Sequence, residues 1–128
     1  AGAKCLILDA ECAWYGDPAF DLAFLINHLC LKAVHVRGAA DPLADAIGRL
    51  LRARAAADTR DHADEVERRA ARLLPGLMLA RLDGKSPVEY LTDEQERSHI
   101  RETARRFLLA PAEAVEEIVI ALTGRGFP

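Results

Sequence analysis

The sequence contains few cysteines and few aromatic residues, and neither sign of charge is in large excess. Cys5, Cys12 and Cys30 are odd in number and include no C-x-x-C pair, which argues against a disulfide framework or a structural zinc site and predicts reduced thiols that fill the core. Aromatic residues make up 5% of the chain, and its formal net charge is -3. Without a basic field or alternating basic and aromatic residues, nucleic acid is not expected as a partner.

Long uninterrupted apolar runs are missing as well. The longest apolar stretch, residues 19–36, is broken by Asp21, Asn27, His28 and Lys32, so no membrane-spanning segment is predicted. No secretory leader is recognised, and we expect a cytoplasmic protein. With 51% hydrophobic residues, the chain can bury one core, and residues 1–128 are predicted to form a single domain.

Several catalytic signatures are also missing from the sequence. No two of the four histidines have the H-E-x-x-H spacing of a zinc hydrolase, and there is no G-x-S-x-G nucleophile turn. His28 lies in an apolar segment and is predicted to be a core or contact residue. The other three are predicted to be exposed on the surface: His35, His62 and His99.

What the sequence does contain is mostly helical periodicity. Residues 4–9 form a short apolar run typical of a buried strand, and residues 10–16 form a turn or hairpin. Asp17 is a good N-cap and Pro18 a good first helical residue, and the helix that follows is apolar nearly all round, which predicts a core position. The predicted fold is therefore mainly α, with a short β-strand or hairpin at its start.

Five further helical regions follow. A surface helix is predicted from Asp41-Pro42, and a helix over residues 61–74 that Pro75 ends or kinks before residues 77–82 resume it as a two-segment hairpin. Capping boxes predict a short helix from Ser86 to residue 91 and a longer one from Thr92 to residue 109, with Leu108 on its inner stripe. A last helix is predicted over residues 112–122.

Two motifs near the start of the chain carry chemistry. The apolar strand ends in Leu8-Asp9, and Gly16-Asp17-Pro18-Ala19-Phe20-Asp21-Leu22-Ala23 follows the turn. This arrangement resembles the aminoglycoside phosphotransferase and choline kinase-like family, small-molecule kinases with a protein-kinase-like fold, in which a strand ending in I-D precedes G-D-P-x-x-D-L-A. The resemblance implies that the chain is the helical C-terminal lobe of a protein-kinase-like (α+β) fold.

The resemblance also implies roles for individual residues. Asp9 would bind the Mg²⁺ that bridges the phosphates of ATP. Glu11, two residues later, could contact a metal-bound water or the substrate amine, although a solvated turn carboxylate is the commoner role. Asp21 would support the backbone of the catalytic loop, while Gly16 and Asp17 form the turn and the helix cap. By residue type alone, a strand-end residue that caps the next turn is the commoner role for Asp9, but the downstream motif reverses this preference in favour of the metal role.

Other parts of the family's machinery are not found in these 128 residues. There is no Gly-rich loop, no strand lysine for the phosphates and no H-G-D-x-x-x-x-N catalytic loop. The nucleotide-binding lobe and the catalytic base are therefore expected upstream of this sequence, in a kinase that transfers the γ-phosphate of ATP to a hydroxyl of a small molecule.

The acceptor is not identified by the sequence. Trp14 and Tyr15 could line the substrate side of the site, although packing is the commoner role of such aromatics. The family's helical lobe binds cationic acceptors through acidic residues, and the nearest such cluster comprises Asp58, Asp61, Asp64 and Glu65, which could equally complement a helix dipole. The alternative functions are a non-catalytic helical interaction or regulatory module derived from a kinase lobe, and an unrelated helical domain.

Overall fold

The computed structural model describes residues 15–58, 63–85 and 87–128, and within them the chain forms five α-helices. The prediction of a mainly α protein is confirmed. The strand or hairpin predicted over residues 4–16 falls almost entirely outside the described residues and stays a prediction. None of the described helices combines the length and apolarity needed to cross a membrane.

Helix α1 (Pro18–His35) begins where the sequence predicts. The Asp17 carboxylate accepts the backbone N–H of Ala19 at 2.9 Å, and Pro18 occupies the first turn, where its missing N–H leaves no helical bond unmade. The helix ends at Val36, whose N–H still bonds the Lys32 carbonyl, and Gly38 then adopts φ 80° in the turn that follows.

Helix α1 lies in the core, as predicted from its apolar character, but one side of its first half is open to solvent. Phe20, Phe24 and Leu25 are 48%, 42% and 46% exposed. The helix buries one broad face, and the described residues do not cover the opposite side of its first two turns. The buried side chains are Ala19, Leu22, Ala23, Ile26, Asn27, Cys30, Leu31 and Ala33.

Helix α2 (Ala40–Ala57) is a surface helix, as predicted. It begins one residue before Asp41, without a side-chain cap, and buries Ala44, Ile47 and Gly48. Gly48 lies beneath the chain's C-terminal segment, where a Cβ atom would stand 3.1 Å from the Phe127 side chain. A small residue at this position lets that segment cross the helix closely.

Helix α3 (Ala63–Asp83) continues through Pro75, so the predicted two-segment hairpin is wrong. Proline removes one helical hydrogen bond and disfavours a helix interior by about 3 kcal/mol. Pro75 is itself buried, and Leu74, Met78 and Leu82 on both sides of it are buried as well. Burial of this apolar face favours one continuous helix over a break at the proline.

The segment at residues 87–93 is a turn, and not the short helix predicted to end at Leu91. Its backbone is held to α3 by the Val88 N–H, which bonds the Arg81 carbonyl at 2.9 Å, while Val88 and Leu91 are buried in the core. Burial of two apolar side chains within this short segment outweighs the local capping signal, because tertiary packing overrides weak local preference.

Helices α4 (Glu94–Leu109) and α5 (Val115–Thr123) complete the described structure. The N-cap of α4 is Asp93 rather than Thr92, and Leu108, predicted to face inward, is 48% exposed. Helix α5 begins three residues later than predicted, because the Glu117 carboxylate accepts the N–H groups of Glu113 and Ala114 and so fixes the preceding residues as a cap.

The helices share one core. Helix α1 packs along α3, which also packs against α4, while α2 and α5 cover the remaining sides. Arg97 of α4 donates to the carbonyls of Leu82 and Leu91, at 2.9 and 3.3 Å, and thereby ties α4 to the end of α3 and to the turn. Cys30 lies inside this core, and burial raises the pKa of its thiol to about 12.

Candidate functional site

The Gly16-Asp17 turn is the best-defined part of the predicted site. Asp17 caps α1, as expected, and both of its carboxylate oxygens also accept hydrogen bonds from Arg69 of α3, at 3.0 and 3.2 Å. The N–H of Ala19, followed by the Arg69 guanidinium, lowers the pKa of this carboxyl below its usual value of 3.8. The Asp of the G-D-P motif is thus an anionic cap clamped to a neighbouring helix, which the sequence does not predict.

Asp21 lies one turn further along α1 and is exposed. Within the described parts of the chain, its carboxylate makes no hydrogen bond and no ion pair. Its negative charge complements the helix N-terminus, as predicted. The carboxylate is therefore available to accept hydrogen bonds from a further segment of backbone, while its helix is fixed by the core.

An apolar surface surrounds Asp21, and we call Phe20, Asp21, Phe24 and Leu25 the α1 face. The Phe20 and Phe24 rings stack with their centroids 6.1 Å apart, and the Phe24 ring meets the His28 ring edge-on at 5.0 Å. Three neighbouring large apolar side chains in contact with water are typical of a surface that another segment or another protein covers.

The predicted metal ligands, Asp9 and Glu11, lie outside the described residues, as does Trp14. Tyr15 is fully exposed, so it does not pack against the described residues. Within the described ranges, no group of three or more histidine, cysteine or acidic side chains could hold a metal ion. The structure therefore leaves the magnesium assignment as a prediction from residue type and motif.

The predicted acidic cluster of Asp58, Asp61, Asp64 and Glu65 does not come together as one site within the described residues. Asp58 follows the end of α2 and accepts from Arg54 at 2.8 Å, whereas Asp64 and Glu65 stand exposed in the first turn of α3. Asp61 lies outside the described residues. Complementing the dipole of α3 accounts for Asp64 and Glu65, and nothing in their geometry indicates an acceptor.

The sequence does not predict the polar cluster near the end of α1. Contrary to the expected surface position, His35 is partly buried, and its Nδ1 lies 2.9 Å from Glu96 Oε2. The Tyr90 ring packs 5.2 Å from the His35 ring and beneath the Lys32 ammonium, 4.7 Å from the ring centroid. Residues 28, 32 and 35 share one side of α1, but this spacing gives no indication that Tyr90 or Glu96 packs against it.

The pKa values of two side chains in this region are shifted from their usual values. Burial, followed by the positive charges of Arg81 and Lys32, lowers the pKa of His28 below its usual 6.5. Burial also raises the pKa of Tyr90 above its usual 10.0. His99 lies apart from this cluster, with its Nε2 3.0 Å from the Leu122 carbonyl oxygen.

Comparison of the chain with protein-family models, curated proteins and solved structures found no match. The kinase resemblance accordingly depends on the motif itself and on how the described residues build it.

Proposed function

We propose that this chain is the helical C-terminal lobe of an ATP-dependent small-molecule kinase, similar to the aminoglycoside phosphotransferases, that transfers the γ-phosphate of ATP to a substrate hydroxyl. The main support for this proposal is the local structure of the G-D-P-x-x-D motif. Asp17 and Pro18 start a core helix, and that helix presents Asp21, exposed and with no bonding partner among the described residues.

The proposed role of Asp21 follows from its position. A carboxylate can hold a catalytic loop by accepting hydrogen bonds from backbone N–H groups. For this it needs a rigid supporting element and two oxygens that accept no other hydrogen bonds. Helix α1 provides this rigid support, because its Ala19, Ala23 and Ile26 are completely buried. The apolar side chains beside Asp21 would exclude water from these hydrogen bonds once a further segment packs on the α1 face.

Asp9 is assigned to Mg²⁺ by residue type and motif. Carboxylate oxygens are the ligands that Mg²⁺ prefers, and the metal would neutralise charge on the transferring phosphoryl group. Glu11 is the second candidate for the metal or its bound water. The catalytic base and the nucleotide lobe belong to residues outside this sequence in the proposal, so we expect the 128 residues alone to show no turnover.

The test uses the complete reading frame that encodes this chain. We expect the expressed protein to transfer phosphate from ATP to a hydroxyl in a panel of aminoglycosides, choline and related alcohols. Asp9→Ala is expected to lower kcat by at least about 100-fold, because charge stabilisation in the transition state is lost. Asp45→Ala is the matched control, since Asp45 pairs with Arg49 within the surface helix α2. Equal activity of the two variants would contradict the metal role.

A second candidate function is a non-catalytic interaction module derived from such a lobe. The exposed Phe20, Phe24 and Leu25 favour it, because a binding module needs an apolar surface of this kind. The two proposals differ in what upstream sequence they require: an H-G-D-x-x-x-x-N loop supports the kinase. If that loop is missing and the complete protein binds no Mg²⁺-ATP in calorimetry, the interaction module is the better description.

A further inference from the structure

The ion pair between Asp17 and Arg69 has the geometry of a clamp. Arg69 Nε lies 3.0 Å from Asp17 Oδ2 and Nη2 lies 3.2 Å from Oδ1, so the guanidinium and the carboxylate meet through two parallel hydrogen bonds. Bidentate pairs of this kind fix the relative orientation of the two groups as well as their distance. The pair joins residues 52 positions apart in the sequence.

The two ends of the clamp are anchored differently. Arg69 projects from α3 between Val66 and Ala70, both completely buried, so its backbone is fixed by the core. Asp17 belongs to the turn that enters α1, and its Oδ1 also accepts the Ala19 N–H at 2.9 Å. Because the same carboxylate caps the helix and pairs with Arg69, the clamp orients the Gly16-Asp17 turn relative to α3.

As a source of stability alone, the ion pair between Asp17 and Arg69 would contribute little. Exposed pairs contribute about 0–1 kcal/mol, and here both side chains are partly exposed, at 47% for Asp17 and 36% for Arg69. The nearby Arg72 pairs with Glu113 at 3.3 Å in the ordinary way, between α3 and the segment before α5. Of these two arginines of α3, Arg69 is the one that holds the turn between the predicted metal ligand and Asp21.

We propose that Arg69 is a positioning residue: the core fixes the body of α1, and Arg69 holds the Gly16-Asp17 turn against α3 so that the first turn of the helix presents Asp21 to the catalytic loop in one orientation. The inference rests on the proposed function. Arg69 contacts neither substrate nor nucleotide in it, and acts through Asp17. Misplacement of a catalytic group by about 1 Å can lower a rate by about 100-fold, so a modest ion pair can have a large kinetic effect.

The experiment compares variants of the complete protein by steady-state kinetics. Arg69→Ala is expected to lower kcat about 10- to 100-fold while the KM for ATP changes less than about twofold, because positioning and not ground-state binding is lost. Arg69→Lys should recover only part of kcat, since a lysine cannot make the bidentate pair. Arg72→Ala, the matched control on the same helix, should keep the wild-type kcat.

Asp17→Asn completes the test, because asparagine retains the oxygen that caps α1 but loses the charge that pairs with Arg69. The double variant Asp17→Asn/Arg69→Ala should be no slower than the slower single variant, since both single variants break the same Asp17–Arg69 pair. A double variant whose fold-loss in kcat equals the product of the two single losses would overturn the inference.

The remaining outcomes separate the two proposals. A wild-type protein that transfers phosphate, with Arg69→Ala as active as Arg72→Ala, would overturn the positioning role and leave the kinase assignment intact. A wild-type protein that shows neither phosphate transfer nor Mg²⁺-ATP binding would overturn the proposed function, and the positioning role with it. Equal loss of thermal stability in the two arginine variants, with kcat unchanged, would make the clamp structural only.

Discussion

The two halves of α1 are both rich in apolar residues but have different surroundings. In the first half, Phe20, Phe24 and Leu25 are partly open to solvent. In the second half, the turn at residues 87–93 and the start of α4 bring Tyr90 and Glu96 against Lys32 and His35. The open first half is the more apolar of the two, with Asp21 as its one polar residue, so its exposure comes from what packs on the helix and not from its composition.

This contrast bears on function. In both proposed functions, the open end of α1 is the part of the helix that meets something outside the described residues. In the kinase proposal that is the catalytic loop, held by Asp21. In the alternative proposal it is a partner protein held by the phenylalanines. Substitutions in each half can test whether the two differ in solution as they do in the structure.

The largest effect is expected from removing the same side chain in each half. Leu31→Ala deletes a completely buried side chain and should lower the free energy of unfolding by about 2–5 kcal/mol. Leu25→Ala removes one that is 46% exposed and should cost less than about 1 kcal/mol. Urea denaturation followed by circular dichroism measures both. Similar losses for the two variants would show that the α1 face is covered in solution.

A gain is expected at Asn27, a buried polar residue near the middle of α1. Both polar atoms of its side chain are inaccessible, and neither has a hydrogen-bond partner among the described residues. An unsatisfied buried polar group costs about 1–3 kcal/mol. Asn27→Leu replaces the amide with an apolar side chain and should therefore raise the free energy of unfolding by about that amount in urea denaturation.

Asn27→Ala serves as the control for Asn27, because it removes the amide but leaves a cavity, and it should fall below the leucine variant. If Asn27→Leu destabilises the protein instead, the amide has a partner beyond the described residues, and this part of α1 belongs to a larger contact.

The effect of a glycine-to-alanine substitution can also be compared between an open and a covered helix surface. A Cβ atom added at Gly76 of α3 would meet open space, so Gly76→Ala should stabilise the protein by about 0.5–1 kcal/mol through helix propensity. At Gly48 the same atom would lie 3.1 Å from Phe127, which must shift to accommodate it. Gly48→Ala should therefore gain less than Gly76→Ala, or lose stability, in thermal denaturation.

The control for the two glycine variants is to repeat them in a protein in which Phe127 is replaced by alanine. The Phe127 N–H donates to Glu116 Oε1 at 2.7 Å, and this bond resists the shift. In the background of Phe127→Ala, the obstacle is reduced, and the two glycine variants should have more nearly equal effects. An undiminished difference would mean that something other than the Phe127 ring limits the space at Gly48.

Local signals in the sequence predict the helices well where a cap and an apolar stripe agree. Asp17-Pro18 fixes the start of α1, and α4 ends at Leu109, as predicted. They fail where tertiary packing overrides them. Pro75 is accommodated within α3 because the apolar face on both sides of it is buried, and the capping signal near residue 86 is outweighed by the burial of Val88 and Leu91.

The candidate site was predictable in its residues but not in its contacts. The motif identifies Asp17 as a cap and Asp21 as a first-turn acid, because both roles depend on residues within one turn. Nothing local indicates that Arg69, 52 positions away, clamps Asp17, or that Glu96 meets His35. Pairs between distant helices depend on the packing of α1, α3 and α4, which periodicity does not specify.

The smallest effect is expected from His28, which stands at the boundary between the two halves of α1. Its pKa in the folded protein lies below the usual 6.5, because burial and the charges of Arg81 and Lys32 disfavour the imidazolium form. The unfolded chain therefore binds more protons than the folded one as the pH falls through 6.5. Stability should consequently decrease on acidification below that value and be restored as the pH rises above it.

His28→Gln removes this titration and should flatten the stability profile between about pH 7 and 5, by less than about 1 kcal/mol in total. NMR titration of the His28 ring protons should give a midpoint below 6.5 in the folded protein. A midpoint above 6.5 would indicate an acidic neighbour that the described residues do not provide. Because the Phe24 ring lies 5.0 Å from His28, such a neighbour would sit beside the α1 face and cover its open half.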